Sequence, residues 1–207
     1  MPCSLSVIIP ARPGEPGLDA LVAALEDAPA VDEVLVCSEG SRARSLNAGA
    51  AQARGELLWF LHADSRLAPD TVTHLLTAAG RHPDALLFFD LAFLDDASPF
   101  VRLNQWGGNL RARLLRLPFG DQGLACRRAV FARIRPYRED VPYGEDHLLV
   151  WQAHRARVPV RPVGAPLATS ARTYAAHGWL RLTLSYQYRW LRQAAPEAWR
   201  LLVERLR

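Results

Sequence analysis

Lysine is missing altogether: all 25 basic residues among the 207 are arginine. The chain therefore has neither the lysine of a phosphate-binding P-loop nor one able to form a Schiff base. Cysteine is scarce, and Cys3, Cys37 and Cys126 are odd in number and far apart. Such spacing argues against a disulfide framework or a cysteine-built zinc site and reads as reduced cytosolic thiols. No apolar run reaches the roughly 18 residues that a membrane-spanning helix needs. The N-terminus passes straight into a strand-like run, without the charged start and cleavage site of a signal peptide, so a cytoplasmic location is expected. There is no aromatic RNA-binding signature and no zinc-finger spacing, so nucleic acid is not an expected partner.

What is present fits one compact α/β domain with a short C-terminal appendage. Half the residues are hydrophobic, and the net charge of +4 is modest, with acids spread among the arginines. Strand and helix signals alternate through the first half. Ser4 to Ile9 is a β-rich run ended by Pro10, and Leu18 to Leu25 has helical spacing. Glu33 to Cys37 reads as a second strand, and Ser41 can cap a helix running to about Ala53. Leu57 to Leu61 and Ala85 to Phe89 are further strands, with a helix between them opening at Pro69. This alternation predicts a mainly parallel sheet with helices on both faces, whose ligands gather at the carboxyl ends of the strands. Later, Phe100, Leu103, Trp106, Leu110, Leu114 and Leu117 recur at helical spacing. A Gly-Asp-Gln-Gly turn, a strand and a helix opening near Gly144 follow, and Gly178 to Arg207 reads as one or two helices broken near Pro196.

Three segments carry chemistry. Phe60-Leu61-His62-Ala63-Asp64-Ser65 closes the third strand and would project a carboxylate into the ligand crevice. Magnesium and manganese take oxygen ligands shared with substrate phosphates, so Asp64 is the candidate metal ligand; its alternative is to cap the next helix. His62 reads as a structural residue, since this metal class prefers oxygen. Gly144-Glu145-Asp146 opens a helix, where acids stabilise the dipole or one of them acts as a general base on an acceptor hydroxyl. Asp146 is the candidate base. Gly120-Asp121-Gln122-Gly123 allows a tight turn with close backbone approach to a ligand.

Together these residues resemble family 2 glycosyltransferases. Ser6-Val7-Ile8-Ile9-Pro10 is similar to that family's opening strand. Arg42 to Ala50, Leu61 to Asp64, Gly120-Asp121-Gln122, Glu145-Asp146 and Thr169-Ser170-Ala171-Arg172 resemble, in the same order, a bacterial selenodomain-associated subgroup. The resemblance implies a GT-A type fold over residues 1–175, with a C-terminal helical segment at 176–207. It implies inverting transfer of a sugar from a nucleotide-diphosphate donor to a hydroxyl acceptor, with Mg2+ or Mn2+ at Asp64 and Asp146 as base. Asp121, Gln122 and Glu145 would line the acceptor side, and Pro10, Ser38, Arg42 and Arg44 the nucleotide side.

Two departures from the family pattern stand out. Ser38 occupies the place of an Asp that commonly holds the nucleotide base, and the helix and strand usual before the Arg-Ala-Arg segment are missing. A degenerate, non-catalytic GT-A domain serving as a binding or assembly partner is the alternative function. The C-terminal stripe of Trp179, Leu182, Tyr186 and Trp190 beside Arg181, Arg189 and Arg192 fits three partners. It can pack on the domain, on a second copy in a homodimer, or on an anionic membrane surface, where a lipid-linked acceptor would be met.

Overall fold

The computed structural model describes residues 3–12, 14–94, 98–172, 174 and 178–206. Its centre is a six-stranded sheet: β1 (Leu5–Pro10), β2 (Glu33–Cys37), β3 (Leu57–Phe60), β4 (Leu86–Phe93), β5 (Ala125–Arg127) and β6 (Val160–Thr169). The strand order is β2-β1-β3-β5-β4-β6. Every pairing is parallel except those of β5, which runs against β3 and β4. Strands β1 and β3 are almost wholly apolar and buried because both sheet faces are covered there. Ile8, Leu58, Phe60 and Phe88 pack on one side with α2 (Arg42–Gln52), α5 (Arg128–Ile134) and α6 (Glu145–Arg155). Val7, Ile9, Trp59 and Phe89 pack on the other with α1 (Leu18–Glu26) and α3 (Thr71–Arg81).

The predicted α/β alternation is present, and Ser41 caps α2 by accepting from the Arg44 backbone N–H at 3.3 Å. Three details differ. Helix α3 begins at Thr71, because Ala68 to Thr71 close a turn in which the Ala68 N–H donates to Thr71 Oγ1 at 2.9 Å. Strand β6 gave no sequence signal, since Pro162, Gly164 and Pro166 interrupt it. It exists at the sheet edge, where prolines are tolerated, with an irregular register opposite Phe88 and Asp90.

The third difference is α7 (Trp179–Leu206), which runs through Pro196 without a break. Proline removes one helical hydrogen bond, but tertiary contacts hold the chain on both sides of it. Ala194 is buried, and the buried Glu197 carboxylate accepts from Arg155 at 2.6 Å and Arg200 at 3.0 Å. Helix α7 also touches α4 (Pro99–Leu115), where Asn104 donates to Thr183 Oγ1 at 2.8 Å and Phe100 lies 5.1 Å from Trp179 between ring centroids.

Candidate active site

The carboxyl ends of β3 and β4, the 3₁₀ turn Gly120–Gln122 and the N-terminus of α6 meet around one cleft. It has a volume of about 730 Å³ and continues between α4 and α7. His62, Asp64, Asp121 and Asp146 all line it, so residues far apart in sequence converge. Gly120 is required at this point: a β-carbon there would overlap the Asp146 carboxylate. The sequence signal for a tight turn thus has a second cause, close packing of α6 against the turn.

Asp146 sits in a charge cluster. Arg42, at the start of α2, lies 3.3 Å from Asp146 Oδ2 through Nη2 and 3.2 Å from Glu145 Oε1 through Nε. The guanidinium also contacts His62 Nε2, which is 3.8 Å from Asp146 Oδ2. Burial pushes the Asp146 carboxyl up, but Arg42 and then His62 outweigh it and hold the group below its usual range. Glu145 moves the opposite way, raised by burial and by the neighbouring Asp146 charge. Asp121 is also raised, chiefly by burial, and its Oδ1 has no hydrogen-bond partner among the described residues. One wall of the cleft therefore holds an acid kept ionised beside another biased toward protonation, the arrangement from which acid and base roles are built.

Asp64 is half-buried and forms no ion pair or hydrogen bond among the described residues, which leaves its carboxylate available to a cation. No group of three or more His, Cys, Asp or Glu able to hold a metal occurs among the described residues. The donor chemistry suits a hard divalent cation that draws its remaining oxygens from a diphosphate and water, and does not suit an all-protein cage.

The other predicted residues divide. Gln122 is a correction: it does not face the cleft. Its side chain is 1% exposed, donating to Phe89 O at 2.9 Å and accepting from Phe119 N–H at 3.1 Å, so both ends of the amide hold the turn. Glu145 is buried behind Asp146 and paired with Arg42. Arg44 turns away from the cluster to Glu139, 3.4 Å distant, and is well exposed. Pro10 ends β1 and Ser38 directly follows the neighbouring β2, with Ser38 exposed and Pro10 in register with Cys37.

Sequence reasoning passed over several cleft residues. Arg111 lies 3.6 Å from the centroid of the Phe119 ring and donates through Nε to Leu117 O at 3.0 Å. Its only sequence signal was its place beside the apolar stripe of α4. His147, 3% exposed, accepts from Trp151 Nε1 at 2.8 Å, and burial and then Arg111 push its pKa down to about 4. Outside the cleft lining, beside Arg42, His62 and Asp146, the Tyr137 hydroxyl is buried without a partner among the described residues, and burial raises its pKa well above the ordinary value.

Residues 39–135 match the family model described as Glycosyl transferase family 2. The solved structure of S. aureus TarS 1–349 superposes with a TM-score of 0.60 at 14% identity, covering 81% of this chain and 60% of that one. The fold is that of GT-A glycosyltransferases. Glucosyl-3-phosphoglycerate synthase from Mycobacterium tuberculosis, solved with Mn2+, UDP-glucose and phosphoglyceric acid, superposes with a TM-score of 0.55 at 14% identity. That match covers 81% of this chain and 72% of the synthase. TarS 1–349 has also been solved with UDP-GlcNAc, and there the TM-score is 0.57 at 14% identity, over 82% of this chain and 59% of that one. The chain thus spans less than two thirds of the TarS structures it resembles. No curated protein sequence matches it.

Proposed function

We propose that the protein transfers a sugar from a nucleotide-diphosphate donor to a hydroxyl acceptor, with inversion and with Mg2+ or Mn2+. The observation that carries this reading is the convergence of Asp64, Asp121 and Asp146 on one cleft at the carboxyl edge of a GT-A sheet. Asp146 is the base: kept ionised by Arg42 and His62, it accepts the acceptor hydroxyl's proton as the new bond forms at the anomeric carbon. Asp64 holds the cation, which when bound neutralises charge developing on the diphosphate leaving group. Arg42 positions Asp146 and Glu145, and its partial exposure leaves it within reach of donor phosphates. Asp121 lines the acceptor side, and Pro10 and Ser38 the nucleotide side. Neighbours solved with UDP-GlcNAc, with UDP-glucose and Mn2+, and with UDP, GalNAc and Mn2+ support the donor class and the metal.

Residues 1–175 form the transferase domain in this reading, with 176–207 as an accessory segment. Exposed Phe100, Trp106, Leu180 and Leu184, with Arg102 and Arg181 nearby, support contact with an anionic membrane surface. No helix of the described residues is long and apolar enough to cross a membrane. Sedimentation of the protein with and without anionic vesicles separates this contact from a homodimer covering the same face.

The test of function is thermal denaturation with Mn2+ and UDP. A ligand-dependent rise in Tm, lost in Asp64→Ala, supports the assignment; an equal rise in that variant refutes the metal role. A second reading, a non-catalytic GT-A domain, is favoured by the exposed Ser38 and by β2 standing at the sheet edge. Sugar transfer in a donor and acceptor screen, abolished by Asp146→Asn, eliminates that reading.

A further inference from the structure

The cleft is much larger than a sugar hydroxyl requires, and its outer walls are chemically unlike its floor. Leu103, Leu110 and Leu114 of α4 face it, and each is more than 40% exposed. Tyr186 and Trp190 of α7 form the opposite wall. Two guanidiniums also line it. Arg111 is half-buried against Phe119, and Arg189 lies 5.3 Å from the Tyr143 ring centroid. Neither has a carboxylate within ion-pairing distance among the described residues. Burial disfavours the charged form of Arg111 and outweighs the nearby Asp121 carboxylate, so an incoming anion would relieve the remaining cost. Finally, Gly107 lies in the middle of α4 on the cleft wall, and a β-carbon there would meet nothing within 4 Å among the described residues. Glycine is the poorest helix former after proline, and no neighbour demands it here. Because Gly107 lines the cleft, a larger side chain there would take up cleft space.

We propose that the acceptor is an anionic amphiphile: a molecule with an apolar chain, a phosphate head and a free hydroxyl. The chain lies between α4 and α7, the phosphate rests on Arg111 with Arg189 at the rim, and the hydroxyl reaches Asp146. This names the acceptor class of the transferase reading and rests on it.

Calorimetric titration of the whole protein below the micelle concentration tests the idea with three probes. Lauroyl lysophosphatidic acid carries chain, phosphate and hydroxyl; monolauroylglycerol lacks the phosphate; glycerol 3-phosphate lacks the chain. The lysophosphatidic acid is expected to bind at least about tenfold more tightly than either of the others, as one charge-assisted contact or a buried chain requires. Arg111→Gln should reduce it to the affinity of the neutral glyceride. Gly107→Leu, which favours the helix, should weaken both lauroyl compounds by blocking the cleft and leave UDP binding intact. Equal binding of the charged and neutral lipids, or of glycerol 3-phosphate and the lipid, overturns the proposal, as does an unchanged affinity in Arg111→Gln. UDP and Mn2+ binding measured on the same samples keeps the two readings apart. Lipid binding without nucleotide binding breaks the transferase reading, and nucleotide binding without lipid selectivity breaks this one.

Discussion

The middle of the sheet's carboxyl edge and its β2 end are built very differently. Around β3, the Gly120 turn and α6, side chains are interlocked: Arg42 bridges two acids, Gly120 makes room for Asp146, and Gln122 ties the turn to β4. Around β2, residues 38–41 link the edge strand directly to α2, and Ser38 is exposed with no hydrogen bond to its side chain among the described residues. The match to the family model begins at Glu39, just past this strand, and takes in Asp64 and Asp121. The interlocked region gathers paired, buried charge, whereas the β2 end offers exposed Ser38 and Glu39 and the Ser41 hydroxyl that caps α2. Positioned charges cost stability unless mutually satisfied, and around Asp146 the pairing supplies that satisfaction.

The largest effect should come from the interlocked region. Asp146→Asn keeps the shape but removes the carboxylate proposed as the base, and on that proposal transfer is expected to fall by about 10² or more. Steady-state rates with a competent donor measure it, and a loss under threefold would move the base elsewhere. Gly120→Ala drives a methyl into the Asp146 carboxylate and should destabilise by about 1–3 kcal/mol in urea denaturation. Gly80→Ala in α3, where a β-carbon meets nothing, is its counterpart and should stabilise by about 0.5–1 kcal/mol. Equal responses at the two glycines would erase the distinction between a packed and an open site.

The next effect is on pH. The pKa of His147 is pushed from 6.5 to about 4 in the folded state. The unfolded chain then binds the proton first, so folding stability is fully present above about 6.5 and is lost as pH falls toward 4. The slope contributed approaches about 1.4 kcal/mol per pH unit within that window. Asp121 and Glu145 act in the opposite sense, because their raised carboxyls favour the folded state as pH falls. The difference between the native protein and His147→Gln isolates the histidine, and identical pH profiles would contradict its buried neutral state.

The smallest effect is expected at the sparse end. Ser38→Asp supplies a carboxylate where the family pattern has one, and UDP should bind several-fold more tightly by calorimetry, as for one added hydrogen bond to a charged acceptor. No gain would mean that the short connection from β2 to α2, and not the missing acid, limits that side.

The local pattern of elements was legible because it depends on periodicity and caps. Apolar runs marked β1 and β3, and Ser41 marked the start of α2. Strand β6 was not legible, because its two prolines are acceptable only at an edge, and edge position is a property of the assembled sheet. Pro196 predicted a break that did not occur, because Glu197 is fixed by arginines from α6 and its own helix. Gln122 looked like a ligand-facing residue in a glycine turn, yet it is spent on backbone hydrogen bonds.

By itself the sequence determined the alternating α/β plan, the acids available at strand and helix ends, and the absence of lysine chemistry. These follow from residue type and short-range spacing, which act within a few residues. Only the tertiary structure decided that Arg42 serves Asp146 and Glu145, that Arg111 lines the cleft, and that α7 forms its second wall. Charge pairing and cavity shape depend on distances between segments remote in the chain, and those distances exist only once the sheet has closed.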